Sequence, residues 1–71
     1  MRCVILKYIK DGNIHYYEGD TVKILAVENG SEVEYIGIVT EILYSSFTLR
    51  FEDGSTIRFW TDEVSKIERW D

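Results

Sequence analysis

Between Phe47 and Trp60 the chain alternates apolar and polar residues on both sides of Asp53-Gly54. Phe47, Leu49 and Phe51 are interleaved with Thr48, Arg50 and Glu52; Ile57 and Phe59 are interleaved with Thr56, Arg58 and Trp60. A period of two places each set on one face of a β-strand, so the stretch reads as a hairpin. Parity then decides its turn. A two-residue Asp53-Gly54 loop would set Leu49 opposite Arg58 and mix charged with apolar residues on the buried face. A three-residue Glu52-Asp53-Gly54 loop sets Phe51 opposite Ser55, Leu49 opposite Ile57 and Phe47 opposite Phe59. It also puts Gly54 third, where a type I turn closed by a bulge needs a left-handed residue. Leu49, Phe51, Ile57 and Phe59 are the expected core of this hairpin.

Upstream, Tyr35 to Leu43 is long for a strand and apolar on both faces, with Gly37 in its middle. A lone glycine in a strand marks a bulge, a bend or the close approach of another backbone. A long strand bent there can serve two orthogonal sheets, as in very small barrels.

The remaining segments are also β-like. Arg2 to Ile9 and Ile14 to Tyr17 flank Asp11-Gly12 as an N-terminal hairpin. An Asp11-Gly12 turn pairs Ile9 with Ile14 but turns Lys7 inward. A three-residue turn pairs Tyr8 with Tyr16, groups them with Leu6, and is the expected register. Glu18-Gly19-Asp20 is a turn. Thr21 to Val27 is a strand with Val22, Ile24 and Ala26 on one face, and Asn29-Gly30 is a strong hairpin signal. Thr61 to Val64 suits one turn of 3-10 helix capped by Thr61 or Asp62. Ser65 to Trp70 is a last strand with Ile67 inward.

Seventy-one residues make one domain, expected to divide into a hairpin extension (1–17) and a core (18–71). A chain this short buries roughly 60% of its unfolded surface, so self-association is a natural source of extra burial. Cys3 is the single cysteine, so no internal disulfide can help. Its expected role is that of a small packed hydrophobe. A lone cysteine without a signal peptide suits a reducing cytoplasm. Cys3 to Leu6 is too short an apolar run to span a membrane.

Strands from Thr21 onward, with one 3-10 turn before the last, follow the order of an SH3-like small barrel. Y-I-G-I-V-T-E-I, F-T-L-R-F-E-D-G-S and V-S-K-I resemble the body of Tudor and Sm-like domains. The resemblance covers about fifty residues and implies a fold rather than a ligand. Tudor domains place an aromatic between the Asp and Gly of that turn, whereas Asp53 and Gly54 are adjacent. Sm proteins carry an Asp and Asn for RNA bases where this chain has Leu43-Tyr44-Ser45-Ser46. The stretch D-G-N-I-H-Y-Y-E-G-D-T-V-K-I is similar to the opening of YopX-type phage proteins, which implies a phage or mobile-element origin and no known chemistry.

No set of residues here resembles catalytic machinery. His15 is the only histidine and sits among tyrosines, with no nucleophile at a recognisable spacing. Glu52-Asp53 and Asp62-Glu63 read as soluble turns and caps. No Cys/His metal spacing or phosphate loop is present, so no cofactor or metal is expected. The net charge of −5 argues against a non-specific grip on nucleic acid. One constellation stands out: Arg50, Arg58 and Trp60, which share the outward face of the central hairpin with Thr48 and Thr56. Trp and Arg are the residues most enriched at binding hot spots. In the competing arrangement Trp60 is covered by the N-terminal hairpin or by Trp70 as a second small core, and the sequence alone tips slightly that way. The expectation is an all-β, SH3-like small barrel of about five strands with an additional N-terminal hairpin. Its expected role is a non-catalytic binding or assembly module with a protein partner or self-association. The alternative is a nucleic-acid-binding barrel using the same three residues.

Overall fold

The computed structural model describes residues 8–70. Cys3, Leu6 and the start of the expected first strand lie outside them. Seven strands and one 3-10 turn follow in order: β1 (Tyr8–Asp11), β2 (Ile14–Tyr17), β3 (Thr21–Glu28), β4 (Ser31–Ile42), β5 (Ser46–Arg50), β6 (Thr56–Trp60), the turn Thr61–Glu63, and β7 (Val64–Arg69). β1 and β2 form a two-stranded sheet. The other five form one antiparallel sheet in the order β6-β5-β4-β3-β7. β6 and β7 are its edges and are not hydrogen-bonded to each other.

The central hairpin has the register that parity dictates. Phe47 faces Phe59, Leu49 faces Ile57 and Arg50 faces Thr56. The Phe51 N–H donates to the Ser55 carbonyl at 2.9 Å and the Gly54 N–H to the Phe51 carbonyl at 2.9 Å, which closes a loop of Glu52, Asp53 and Gly54. Gly54 sits at φ +88°, the left-handed conformation that a Cβ makes costly. Asn29 and Gly30 join β3 to β4 in the expected tight turn, with Glu28 facing Ser31.

Gly37 owes its identity to a close approach. A Cβ there would lie 2.8 Å from the Arg50 carbonyl oxygen and 3.2 Å from Phe51 Cδ1. The irregularity of β4 comes later, between Val39 and Glu41, where Thr40 is an extra residue against β5. It solves a parity problem. Val39 and Ile42 are three apart, so a regular strand would place them on opposite faces; the bulge buries both. β7 does the same. Ser65 is skipped between Leu25↔Lys66 and Ala26↔Val64, which lets Val64 and Ile67 both turn inward.

The core joins Val22, Ile24 and Ala26 of β3, Val39 and Ile42 of β4, Phe47 and Leu49 of β5, Phe59 of β6, Ile67 of β7 and Tyr16 of β2. Fully burying a Val, Leu, Ile or Phe side chain contributes about 1.5–3 kcal/mol. Because both edge strands supply residues to one cluster, the sheet curls around it.

Three expectations need correction. The first hairpin pairs Tyr8 with Tyr17, Ile9 with Tyr16 and Asp11 with Ile14, around a Gly12-Asn13 turn. This register sends Ile9 and Tyr16 to the core side and leaves Tyr8 outside, its ring 4.4 Å from that of His15. Ile57, expected in the core, is 40% exposed although its partner Leu49 is fully buried. It lies on the inner face of an edge strand, with no strand beyond it among the described residues. Neither Thr61 nor Asp62 caps the 3-10 turn: the N-cap is Trp60, whose N–H donates to the Glu63 carboxylate at 3.4 Å.

Candidate functional site

The outer face of the sheet is set by the residues that alternate with the core. On β5 and β6 these are Thr48 and Arg50, opposite Arg58 and Thr56 respectively, with Trp60 two residues beyond Arg58. Arg50, Arg58 and Trp60 are all exposed. Trp60 stands 49% open, so among the described residues neither the first hairpin nor Trp70 buries it as a second core, which corrects that expectation. Among the described residues no carboxylate lies within ion-pairing distance of Arg50 or Arg58. β5 and β6 themselves carry no acidic side chain.

The three residues are not one tight cluster. Arg58 and Trp60 share a strand, whereas Arg50 lies diagonally from Arg58 and faces Ile38 of β4 on its other side. Arg50 therefore lines an open groove with Ile36, Ile38, Phe51 and Trp70. Ile36, Ile38 and Trp70 are each exposed. The Trp70 N–H donates to the Thr21 carbonyl at 2.9 Å, continuing the β7 edge, and the Lys23 ammonium sits 5.0 Å from its ring centroid. Lys23 also meets Glu34 at 3.7 Å and Glu68 at 3.6 Å, so its charge is locally balanced. Sequence reasoning did not place Ile36, Ile38 and Trp70 in the site. Its available signal was that Tyr35 to Leu43 is apolar on both faces, which one buried face cannot explain.

The groups with shifted proton affinities lie elsewhere. Burial pushes the Tyr16 hydroxyl up; it donates to the Ile67 carbonyl at 3.4 Å. The Arg69 guanidinium lies 5.4 Å from the Tyr16 ring centroid and pairs with Asp20 at 3.3 Å. Tyr35 is raised because its hydroxyl donates to the Glu28 carboxylate. The Ser55 hydroxyl and N–H, donating at 2.6 and 2.9 Å, hold the Asp53 carboxyl below the usual carboxylate range. All three are fastening a turn, a strand end or the first hairpin. The His15 ring packs at 4.4 Å on the Tyr8 ring and meets the Tyr17 ring edge-on at 6.5 Å. Among the described residues no three His, Cys, Asp or Glu side chains converge as metal ligands, and no helix is long and apolar enough to cross a membrane.

No protein-family model, curated protein or solved structure matches the chain.

Proposed function

We propose that this chain is a non-catalytic binding module, an SH3-like small barrel of β3–β7 with β1–β2 as an added hairpin, which takes a protein partner on the outer face of β5–β6. Support for the barrel comes from the strand order, from the 3-10 turn linking the two edge strands, and from a core that draws Phe59 and Ile67 from opposite edges. The observation that carries the binding role is an exposed Trp60 beside Arg58 and Arg50, neither arginine being ion-paired among the described residues. An open indole supplies apolar contact area, and an unpaired guanidinium supplies forked donors for carboxylates or backbone carbonyls. The net charge of −5 favours a protein partner over nucleic acid, whose phosphates demand clustered cations. A single cysteine suits a reducing compartment such as the cytoplasm.

The test is the double variant Arg58→Glu with Trp60→Ala. Both side chains are exposed, so the thermal midpoint should change little. Capture of the partner by the wild-type chain should survive nuclease treatment and be lost with the variant. A partner retained by the folded variant removes this face from consideration. Loss on nuclease treatment moves the reading to nucleic acid.

A further inference from the structure

The backbone of β6 has one used side and one open side. The Phe51 N–H bonds to the Ser55 carbonyl, and the Thr61 N–H bonds to the Ser45 carbonyl. With Leu49 facing Ile57 and Phe47 facing Phe59, the odd-numbered residues of β6 are the hydrogen-bonded partners of β5. In an antiparallel ladder the residues between them point N–H and C=O the other way. Thr56, Arg58 and Trp60 therefore direct their backbone groups to the free edge. The Trp60 N–H is already taken by the Glu63 carboxylate. The donors and acceptors of Thr56 and Arg58 form an open rung among the described residues, because β6 is the end of its sheet.

The side chains beside that rung say what would fit. Ile57 faces the core yet is 40% exposed, with no neighbouring strand on that side among the described residues. Arg58 faces outward with no carboxylate partner, on a hairpin whose two strands carry no acid. A strand laid along β6 would put the residue opposite Arg58 on the outer face and the residue opposite Ile57 on the inner face. We propose that β6 accepts an extended peptide segment of a partner protein as a sixth, antiparallel strand, with an acidic residue opposite Arg58 alternating with an apolar residue opposite Ile57. Main-chain bonds to Thr56 and Arg58 give the hold, and the alternating side chains give selectivity. The inference rests on the binding role of the β5–β6 face and adds the edge, the backbone mode and the chemistry of the ligand.

The probe is a capped seven-residue peptide of alternating valine and glutamate, titrated by amide NMR into the chain. Binding should slow hydrogen exchange at the Thr56 and Arg58 amides. Replacing glutamate by lysine in the peptide should weaken binding at least tenfold. N-methylation of the glutamate nitrogens, which would point at β6, should abolish binding, whereas N-methylation of the valine nitrogens, which would point away, should be tolerated. Arg58→Glu, whose unchanged amide spectrum elsewhere reports an intact fold, should lose the glutamate peptide and accept the lysine one. Binding indifferent to both N-methylations overturns edge pairing and leaves face recognition standing. No binding of the glutamate peptide at millimolar concentration also overturns it. So does a chain that sediments as a dimer with Thr56 and Arg58 already protected, because the occupant is then a second copy.

Discussion

The β1–β2 and β5–β6 hairpins are similar in length and are held in opposite ways. β5 hydrogen-bonds to β4 as well as to β6, so the second hairpin is part of the five-stranded ladder and contributes Phe47, Leu49 and Phe59 to the core. Among the described residues β1 and β2 hydrogen-bond as strands only to each other. Their link to the rest is side-chain work: Tyr16 sunk into the core, and Arg69 reaching from the end of β7 to the His15 carbonyl at 3.3 Å. A hairpin of two strands is marginal alone in water. The first hairpin therefore has one fully buried anchor, Tyr16, with Ile9 partly buried beside it, while the second is distributed over a ladder and several buried residues.

The largest expected effect lies in the second hairpin. Leu49 is fully buried, so Leu49→Ala should cost about 2–5 kcal/mol in denaturant unfolding. Thr48→Ala, on the other face of the same strand, should cost below about 1 kcal/mol. Ile57→Ala should fall nearer Thr48 than Leu49, since the free edge leaves that isoleucine open. Equal losses for Leu49 and Ile57 would mean that β6 is covered in solution.

Gly37→Val tests the ladder that supports this hairpin. Its Cβ would meet a backbone oxygen, which cannot swing aside as a side-chain end can. Overpacking of this kind costs about 1–3 kcal/mol. An unchanged thermal midpoint would show that β4 and β5 are further apart than described.

These positions also show what could be read from the residues. The β5–β6 register was legible because its apolar and polar sets are cleanly separated, and only one loop length keeps them so. The β1–β2 register was not, because Tyr8, Ile9, Ile14, Tyr16 and Tyr17 offer apolar pairs in several registers. What selects one is the cavity that Tyr16 fills, a tertiary fact. Ile57 follows the alternation perfectly yet is exposed, because alternation reports a face and not whether another strand lies beyond. The spacing of Val39 and Ile42 did hold a clue: two inward residues three apart demand a bulge. For the candidate site, Arg50, Arg58 and Trp60 were legible as a face from parity alone. Their exposure, and the addition of Ile36, Ile38 and Trp70, depend on which strands neighbour one another.

A smaller effect is expected at the anchor of the first hairpin. Tyr16→Phe keeps the buried ring and removes only the hydroxyl, whose bond to the Ile67 carbonyl is long at 3.4 Å. The cost should be about 0.5–1 kcal/mol. If the ring is the anchor, the Ile9 and Asp11 amides, which face β2 in the hydrogen-bonded pairs, should exchange in Tyr16→Phe much as in the wild type. A selective loss of their protection would make the hydroxyl, and not the ring, the fastening.

The smallest effect concerns the turn of the second hairpin and has a definite sign in pH. Asp53 accepts from the Ser55 hydroxyl and from the Ser55 N–H, both of which favour its charged form. Its folded proton affinity is therefore depressed, the hydroxyl contributing most. A depressed carboxyl contributes stability that is present above its unfolded value and lost as the pH falls through the folded one. Asp53 is exposed, so solvent screens the interaction and the effect is small. Comparing wild type with Asp53→Asn isolates it, because the other carboxylates titrate in both proteins and cancel. The thermal midpoint of the wild type should exceed that of the variant near neutrality. The gap should close as the pH falls below about 4, the ordinary carboxylate value. A gap that is constant down to the acid limit, or that widens there, would mean that the charged carboxylate does not fasten this turn. The three-residue loop would then rest on Gly54 and the Phe51–Ser55 pair alone.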